Sequence, residues 1–145
     1  MPATVTLEDN GRILHFTFRD PVNFSELSAV EEQANFWYER AHSKIHTLLD
    51  VRHLRALPEG FMRFRKTNGL SHRNAGNTAV VGASVYVQAI GETIFRLARN
   101  DRTRFFPQER IADAWAYLRQ IITVEKEAEQ VEAQHALTSI PVADH

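Results

Sequence analysis

The sequence is organised around one short apolar run, Ile45-His46-Thr47-Leu48-Leu49-Asp50-Val51. Polar and apolar residues show little alternation in this run, which is typical of a strand that is buried on both faces of a sheet. A helical pattern precedes the run along the chain, and another follows it. We therefore predict that this run forms the middle strand of an α/β sheet.

The residues before this run predict an antiparallel hairpin followed by a helix. An alternating segment ends at Asn10-Gly11, a strong hairpin signal because both residues tolerate positive φ, and residues 12–19 alternate again. Asn23 is suited to cap the next helix, with Glu26 three residues later to complete a capping box. Apolar residues then recur at helical spacing, which predicts a helix over about 23–42: Leu27, Val30, Ala34, Trp37 and Ala41.

The residues after the run predict two more strands and three more helices. In chain order these are a helix at 57–69, a strand at 77–83, a helix at 87–97, an edge strand at 102–106 and a helix from 108 to about 124. Beyond Glu125 the apolar stripe fades, and this segment is either a helical extension or a frayed tail. We predict one α/β domain over 1–124, with a mixed sheet of about five strands and four helices, followed by an acidic segment at 125–145.

Composition excludes several classes of protein. The chain has 145 residues and no cysteine, which rules out disulfides, thiolate metal sites and a cysteine nucleophile. No apolar run approaches the roughly 20 residues that a membrane span requires. Net charge is −1, so no overall field selects nucleic acid. With no basic and apolar leader at the N-terminus, we expect a cytoplasmic protein without a membrane span or a specific nucleic-acid partner.

Charge is unevenly distributed along the chain. From Arg52 to Arg73 there are six Lys and Arg residues against Glu59 alone, whereas from Glu125 onward there are five acids against Lys126 alone. The basic stretch is either a contact surface for anionic lipid, phosphate or an acidic partner, or an ordinary solvated helix face.

Candidate catalytic and metal-binding residues do not form a recognisable constellation. Ser84 follows a strand, but a nucleophile elbow requires glycine where Tyr86 stands, so Ser84 is better interpreted as a helix N-cap. His42 and His46 are separated by a helix-to-strand boundary, so they need not share a face. We expect no catalytic residue, no metal and no cofactor, and a hydrolase built on Ser84 or a histidine is a less favoured alternative.

The chain resembles the SpoIIAA-like branch of the STAS superfamily, the fold of bacterial anti-sigma factor antagonists. Three segments carry the resemblance: Leu48-Leu49-Asp50-Val51-Arg52, Thr78-Ala79-Val80-Val81-Gly82, and Arg104-Phe105-Phe106 with Ala112 and Trp115 in the helix that follows. The resemblance implies a phosphorylatable serine in the turn after the central strand. Here that turn matches residues 57–60, and Glu59 stands where the phosphoacceptor is expected, so we expect the phospho-switch to be absent.

These observations favour a non-enzymatic regulatory or ligand-binding module. Fold analogy within the resembled family, together with the basic stretch, predicts an apolar or anionic amphipathic ligand near the loop after the central strand. The predicted ligand-binding residues are Asp50, Arg52, Leu57, Glu59, Phe61, Phe64 and Arg65. The alternative is a protein–protein interaction module, and in either case we expect a homodimer.

Overall fold

The computed structural model describes residues 3–55, 72–85, 87–89, 92 and 102–139. The strands within these ranges are β1 (Ala3–Glu8), β2 (Ile13–Arg19), β3 (Ile45–His53), β4 (Ala75–Val81) and β5 (Thr103–Phe106). The helices with defined bounds are α1 (Phe24–Arg40) and α2 (Ile111–Ser139), and a 3-10 turn at Gln108–Arg110 leads into α2.

The strands form one mixed sheet with the order β1-β2-β3-β4-β5, so β3 is its middle strand as predicted. β1 and β2 pair in antiparallel fashion, whereas β2, β3, β4 and β5 are parallel neighbours. The prediction of an antiparallel hairpin followed by parallel strands is therefore confirmed, and β5 is an edge strand as expected. Because β2 to β5 are parallel, their carboxyl ends lie along one edge of the sheet and their amino ends along the other.

Local signals place the first elements close to their predicted positions. Asp9, Asn10 and Gly11 all have positive φ in the turn between β1 and β2. The Asn23 side-chain oxygen accepts the backbone N–H of Glu26 at 2.9 Å, which satisfies one of the amides left unpaired at the start of α1. The hairpin and the N-cap of α1 are therefore confirmed.

The sheet is covered on both faces, which explains the weak alternation of β3. One face packs against α1 through a core that includes Leu14, Phe16 and Leu49 from the strands and Leu27 and Tyr38 from the helix. The other face packs against α2 through a second set of buried side chains: Ile13, Leu48, Ala79, Val81, Phe106, Ala114, Leu118 and Ile122. Burying apolar groups from both faces of each central strand is the main stabilising contribution to such a fold.

α2 remains helical well beyond its contact with the sheet. Residues 123–137 are exposed apart from Glu125, and the helix continues to Ser139. The described part of the predicted acidic segment is therefore helical, and residues 140–145 lie outside the described residues. No helix among the described residues is long and apolar enough to cross a membrane.

Three predicted elements either differ in their bounds from the structure or lie partly or wholly outside the described residues. β4 begins at Ala75 and ends at Val81, two residues earlier at each end than predicted, because Gly82 adopts a φ of +79° that ends the strand. The predicted helix at 57–69 lies outside the described residues. Residues 85, 87–89 and 92 are helical, consistent with the start of the predicted third helix, but four helices are not established.

Candidate functional site

Asp50 and Arg52 form a two-pronged ion pair near the carboxyl end of β3. Arg52 Nε donates to Asp50 Oδ1 at 2.9 Å, and Arg52 Nη2 donates to Asp50 Oδ2 at 2.7 Å. The backbone N–H of Arg52 also donates to Oδ1, at 3.2 Å. Residues two apart on a strand point to the same face, which is why this local pair can form. Both carboxylate oxygens of Asp50 are therefore engaged.

The ion pair keeps Asp50 ionised although it is buried. Burial alone would raise the pKa of the Asp50 carboxyl group, but the hydrogen bonds and positive charge of Arg52 outweigh burial and lower that pKa below 3.8. The Asp50 side chain is 4% exposed and that of Arg52 is 34% exposed. Asp50 thus fixes the position of the Arg52 guanidinium group, while about a third of the Arg52 side chain remains exposed.

Gly82 supports the same arginine from the neighbouring strand end. A Cβ atom at position 82 would lie 2.2 Å from Arg52 Cγ and 2.9 Å from Arg52 Cα, so a larger residue cannot occupy the position without displacing the arginine. With Asp50 on one side and Gly82 on the other, Arg52 is held in one orientation.

A pocket of about 400 Å³ lies at the same edge of the sheet. Among the described residues it is lined by Arg19, Asp20, His53 and Arg55. Arg19 ends β2, and its register partner His53 ends β3, so parallel pairing brings these strand ends together. In open α/β sheets, the carboxyl ends of parallel strands are where ligands usually bind.

Among the described lining residues Asp20 is the one acid, and its carboxylate already accepts a hydrogen bond from the backbone. Asp20 Oδ2 accepts the backbone N–H of Arg55 at 2.9 Å, and the Asp20 N–H donates to the His53 carbonyl oxygen at 3.3 Å. Within the described part of the chain, the guanidinium groups of Arg19 and Arg55 have no ion-pair partner. The pocket therefore presents two cations and a histidine, which is an arrangement suited to an anion.

The structure places the predicted ligand-binding residues unequally. Asp50 and Arg52 are brought together, with Asp50 engaged by Arg52. The other predicted residues lie outside the described residues: Leu57, Glu59, Phe61, Phe64 and Arg65. The sequence analysis did not name Arg19 or His53 as site residues. Both stand at the ends of strands that were predicted to be parallel, and pairing those strand ends would have placed the two residues side by side.

A second polar cluster lies at the amino edge of the sheet, around the buried His46. His46 Nδ1 accepts the backbone N–H of Asn77 at 2.8 Å, so the ring hydrogen belongs on Nε2, which donates to Glu125 Oε1 at 2.8 Å. Arg12 Nη2 donates to the same oxygen at 2.7 Å. A Cβ atom at Gly76 would lie 2.3 Å from His46 Nδ1. This network joins α2 to the sheet.

The described residues show how the catalytic and metal candidates are used. The Ser84 hydroxyl oxygen accepts the backbone N–H of Val87 at 3.1 Å, which confirms its role as an N-cap. His42 is exposed, whereas His46 is fully buried, so the two histidines occupy different environments. Among the described residues, no group of three or more His, Asp or Glu side chains is positioned to hold a metal ion.

Comparisons with known proteins identify no relative: no protein-family model, no curated protein and no solved structure matches this chain. The described fold establishes an α/β protein with a five-stranded mixed sheet. Membership of the STAS superfamily stays a prediction that rests on the residues quoted above.

Proposed function

We propose that this chain is a non-enzymatic, STAS-like regulatory module of the bacterial cytoplasm that binds an anionic amphipathic small molecule at the carboxyl edge of its sheet. The observation that carries the proposal is the pocket in which Arg19 and Arg55 have no described counter-ion. An anionic headgroup would supply that counter-ion, and charge-assisted hydrogen bonds to arginine are among the stronger polar contacts available in water.

The neighbouring ion pair supports an anion rather than a cation at this edge. Both acids there, Asp20 and Asp50, already accept hydrogen bonds from the chain itself. Arg52 is not among the described lining residues of the pocket, but it is held in position at the same edge and its side chain is 34% exposed. A rigid arginine loses little conformational entropy when it binds, which favours affinity for a planar or tetrahedral anion.

Self-association is a second candidate function, favoured by the exposed extension of α2. Val124, Val131 and Leu137 on this extension are 54%, 67% and 71% exposed. Apolar side chains exposed to that degree along one helix suit a protein–protein contact, including a homodimer.

Native mass spectrometry of the purified protein, compared with the denatured protein, tests both functions first. We expect a co-purified mass of a few hundred daltons that disappears on denaturation. A bare chain of even oligomeric order would favour the interaction module instead.

A titration with octyl phosphate tests the pocket directly. We expect saturable binding by calorimetry, weakened about tenfold or more when Arg19→Gln and Arg55→Gln are combined, because each arginine contributes a charge-assisted contact. Arg73→Gln removes an exposed arginine before β4, at the amino edge, and serves as the matched control. Equal affinities for the double variant and the control would contradict the proposed site.

A further inference from the structure

A second pocket, of about 310 Å³, lies at the amino edge of the sheet, opposite the proposed site. It is formed by the turn between β1 and β2, the end of α1 and the start of β3. Its lining combines apolar groups, including Leu7 and Trp37, with three basic side chains, Arg12, Arg40 and His42. The lining contains no Asp or Glu among the described residues. The pocket is thus apolar on one side and carries basic side chains on another. Glu129 lies beside it, with Oε1 accepting from the Ser43 hydroxyl group at 3.2 Å and 3.6 Å from Arg12 Nη2.

The apolar part of this pocket is built on the body of the protein. Leu7 and Trp37 are both partly buried and pack against the core beneath α1. An indole ring held in this way offers a flat apolar surface to a ligand at little entropic cost. The ligand that fits therefore carries an aromatic or branched aliphatic group.

Arg12 supplies a buried cation to the lining. Its side chain is only 10% exposed, with Nε donating to the Lys44 carbonyl oxygen at 3.2 Å and Nη2 donating to Glu125 at 2.7 Å. Arg12 Nη1 makes no hydrogen bond to a described residue. The guanidinium group is therefore fixed by two of its nitrogens, and Nη2 also lies 3.6 Å from Glu129 Oε1, so Nη1 is the nitrogen that these partners leave unengaged.

Arg40 supplies a second cation that is also held in place. Its Nη1 donates to the Phe36 carbonyl oxygen at 2.9 Å, and its guanidinium carbon lies 3.6 Å from the centre of the Phe36 ring. The end of α1 carries partial negative charge, which opposes an anion. That effect is reduced because carbonyl groups in the last turn already accept hydrogen bonds from Arg40, Ala41 and Asn74.

We propose that this pocket is a second binding site, specific for a small carboxylate that carries an aromatic or branched aliphatic group. The carboxylate is bound by Arg12 and Arg40, and the apolar group lies against Trp37 and Leu7. The site lies at the opposite edge of the sheet from the first pocket and does not depend on the function proposed there. Because Arg12 also holds Glu125, the bound carboxylate and α2 share one guanidinium group.

An NMR titration of the ¹⁵N-labelled full chain with phenylacetate tests this site. The readout is the indole N–H signal of Trp37, assigned by comparison with Trp115→Phe. We expect phenylacetate to shift this signal in a saturable manner, and phenylacetamide, which has the same shape without the charge, to bind about tenfold or more weakly. Arg40→Gln is expected to weaken phenylacetate binding about tenfold, whereas Arg110→Gln, an exposed arginine before α2, leaves it unchanged.

Two results would overturn the second site. One is a Trp37 indole N–H signal that does not shift at any phenylacetate concentration in the titration. The other is equal affinity for phenylacetate and phenylacetamide, since recognition would then not involve the cations. Neither result bears on octyl phosphate binding, so failure of this site and failure of the first are distinguished.

Discussion

The two edges of the sheet carry polar clusters that are assembled in opposite ways. At the carboxyl edge, Asp50 and Arg52 are two residues apart on one strand. At the amino edge, Glu125 reaches Arg12 across 113 positions of sequence and His46 across 79. The first cluster is a local feature of β3, whereas the second exists only when α2 lies on the sheet.

The basic side chains of the amino-edge cluster are also more buried than the arginine of the carboxyl-edge pair. The Arg12 and His46 side chains are 10% and 1% exposed, whereas that of Arg52 is 34% exposed. Losing a partner in a buried network is costly, so we expect the principal effect of this network to be on stability and on the position of α2. This difference favours a mainly structural role for the amino-edge network, whereas at the carboxyl edge it is consistent with the binding role that we propose.

Replacing Gly82 should have the largest effect on the carboxyl edge. Gly82→Ala adds a Cβ atom 2.2 Å from Arg52 Cγ and places alanine at a φ of +79°. We expect a loss of about 3 kcal/mol in the free energy of unfolding, measured by urea denaturation, from backbone strain together with overpacking.

Gly11→Ala is the matched control for this substitution. Gly11 has a similar φ of +82°, but the nearest atom to its added Cβ is Leu7 Cδ2 at 4.0 Å. The control therefore carries the backbone strain without the clash, and we expect it to cost about 1 kcal/mol. If the two substitutions cost the same, close contact with Arg52 is not what requires glycine at position 82.

Removing the Glu125 carboxylate tests whether the amino edge secures the fold. Glu125→Ala removes the acceptor of the buried His46 Nε2–H and leaves Arg12 Nη2 with Glu129 Oε1, at 3.6 Å, as its remaining charged partner, and we expect a loss of about 2 kcal/mol in unfolding free energy. Glu127→Ala, an exposed glutamate two residues along the same helix, should change it by less than about 0.5 kcal/mol. Similar values for the two variants would show that the Glu125 carboxylate does not help to hold α2 on the sheet.

Removing Arg52 should have a smaller, pH-dependent effect. Arg52→Gln leaves the buried Asp50 carboxylate without its charged partner, at a cost of about 1–2 kcal/mol at pH 7, whereas Arg55→Gln should change stability little. The folded-state pKa of Asp50 is below 3.8, so the stabilisation is present above that pH and lost as the pH falls below it. The difference between Arg52→Gln and wild type should therefore narrow in acid, as followed by urea denaturation at a series of pH values. A difference that stays constant into acid would show that the ion pair is not its source.

Tyr38 provides a baseline for a buried polar group without a charged partner. Burial raises the pKa of its hydroxyl from 10.0 to about 12, an effect that the hydrogen bond with Thr47 partly offsets. Its contribution is thus fully present below pH 10 and is lost as the pH rises toward 12. We expect Tyr38→Phe to cost less than about 1 kcal/mol at pH 7 and to reduce the loss of stability above pH 10. If the difference in unfolding free energy between the wild type and Tyr38→Phe stays the same above pH 10, the ionisation of Tyr38 is not the cause of the alkaline loss of stability.

Much of the fold follows from local patterns in the sequence. The weak alternation of residues 45–51 marks the middle strand because both faces of β3 are covered. Asn10-Gly11 and Asn23 mark the hairpin and the start of α1 because their chemistry suits positive φ and an N-cap respectively. The candidate site was harder to predict from the sequence. Of the predicted ligand-binding residues, Asp50 and Arg52, which are two apart on one strand, are the two that the described structure shows in contact.

The strands, the hairpin, the first helix and the position of β3 could be predicted from local sequence, because they depend on periodicity and capping over a few residues. Apart from the local pair of Asp50 and Arg52, which charged groups meet depends on the tertiary structure. Arg19 approaches His53 through the register of two parallel strands, and Glu125 meets Arg12 and His46 because α2 continues as a helix across the amino edge of the sheet. Such contacts depend on the relative placement of distant segments, and no pattern within any one segment encodes that placement.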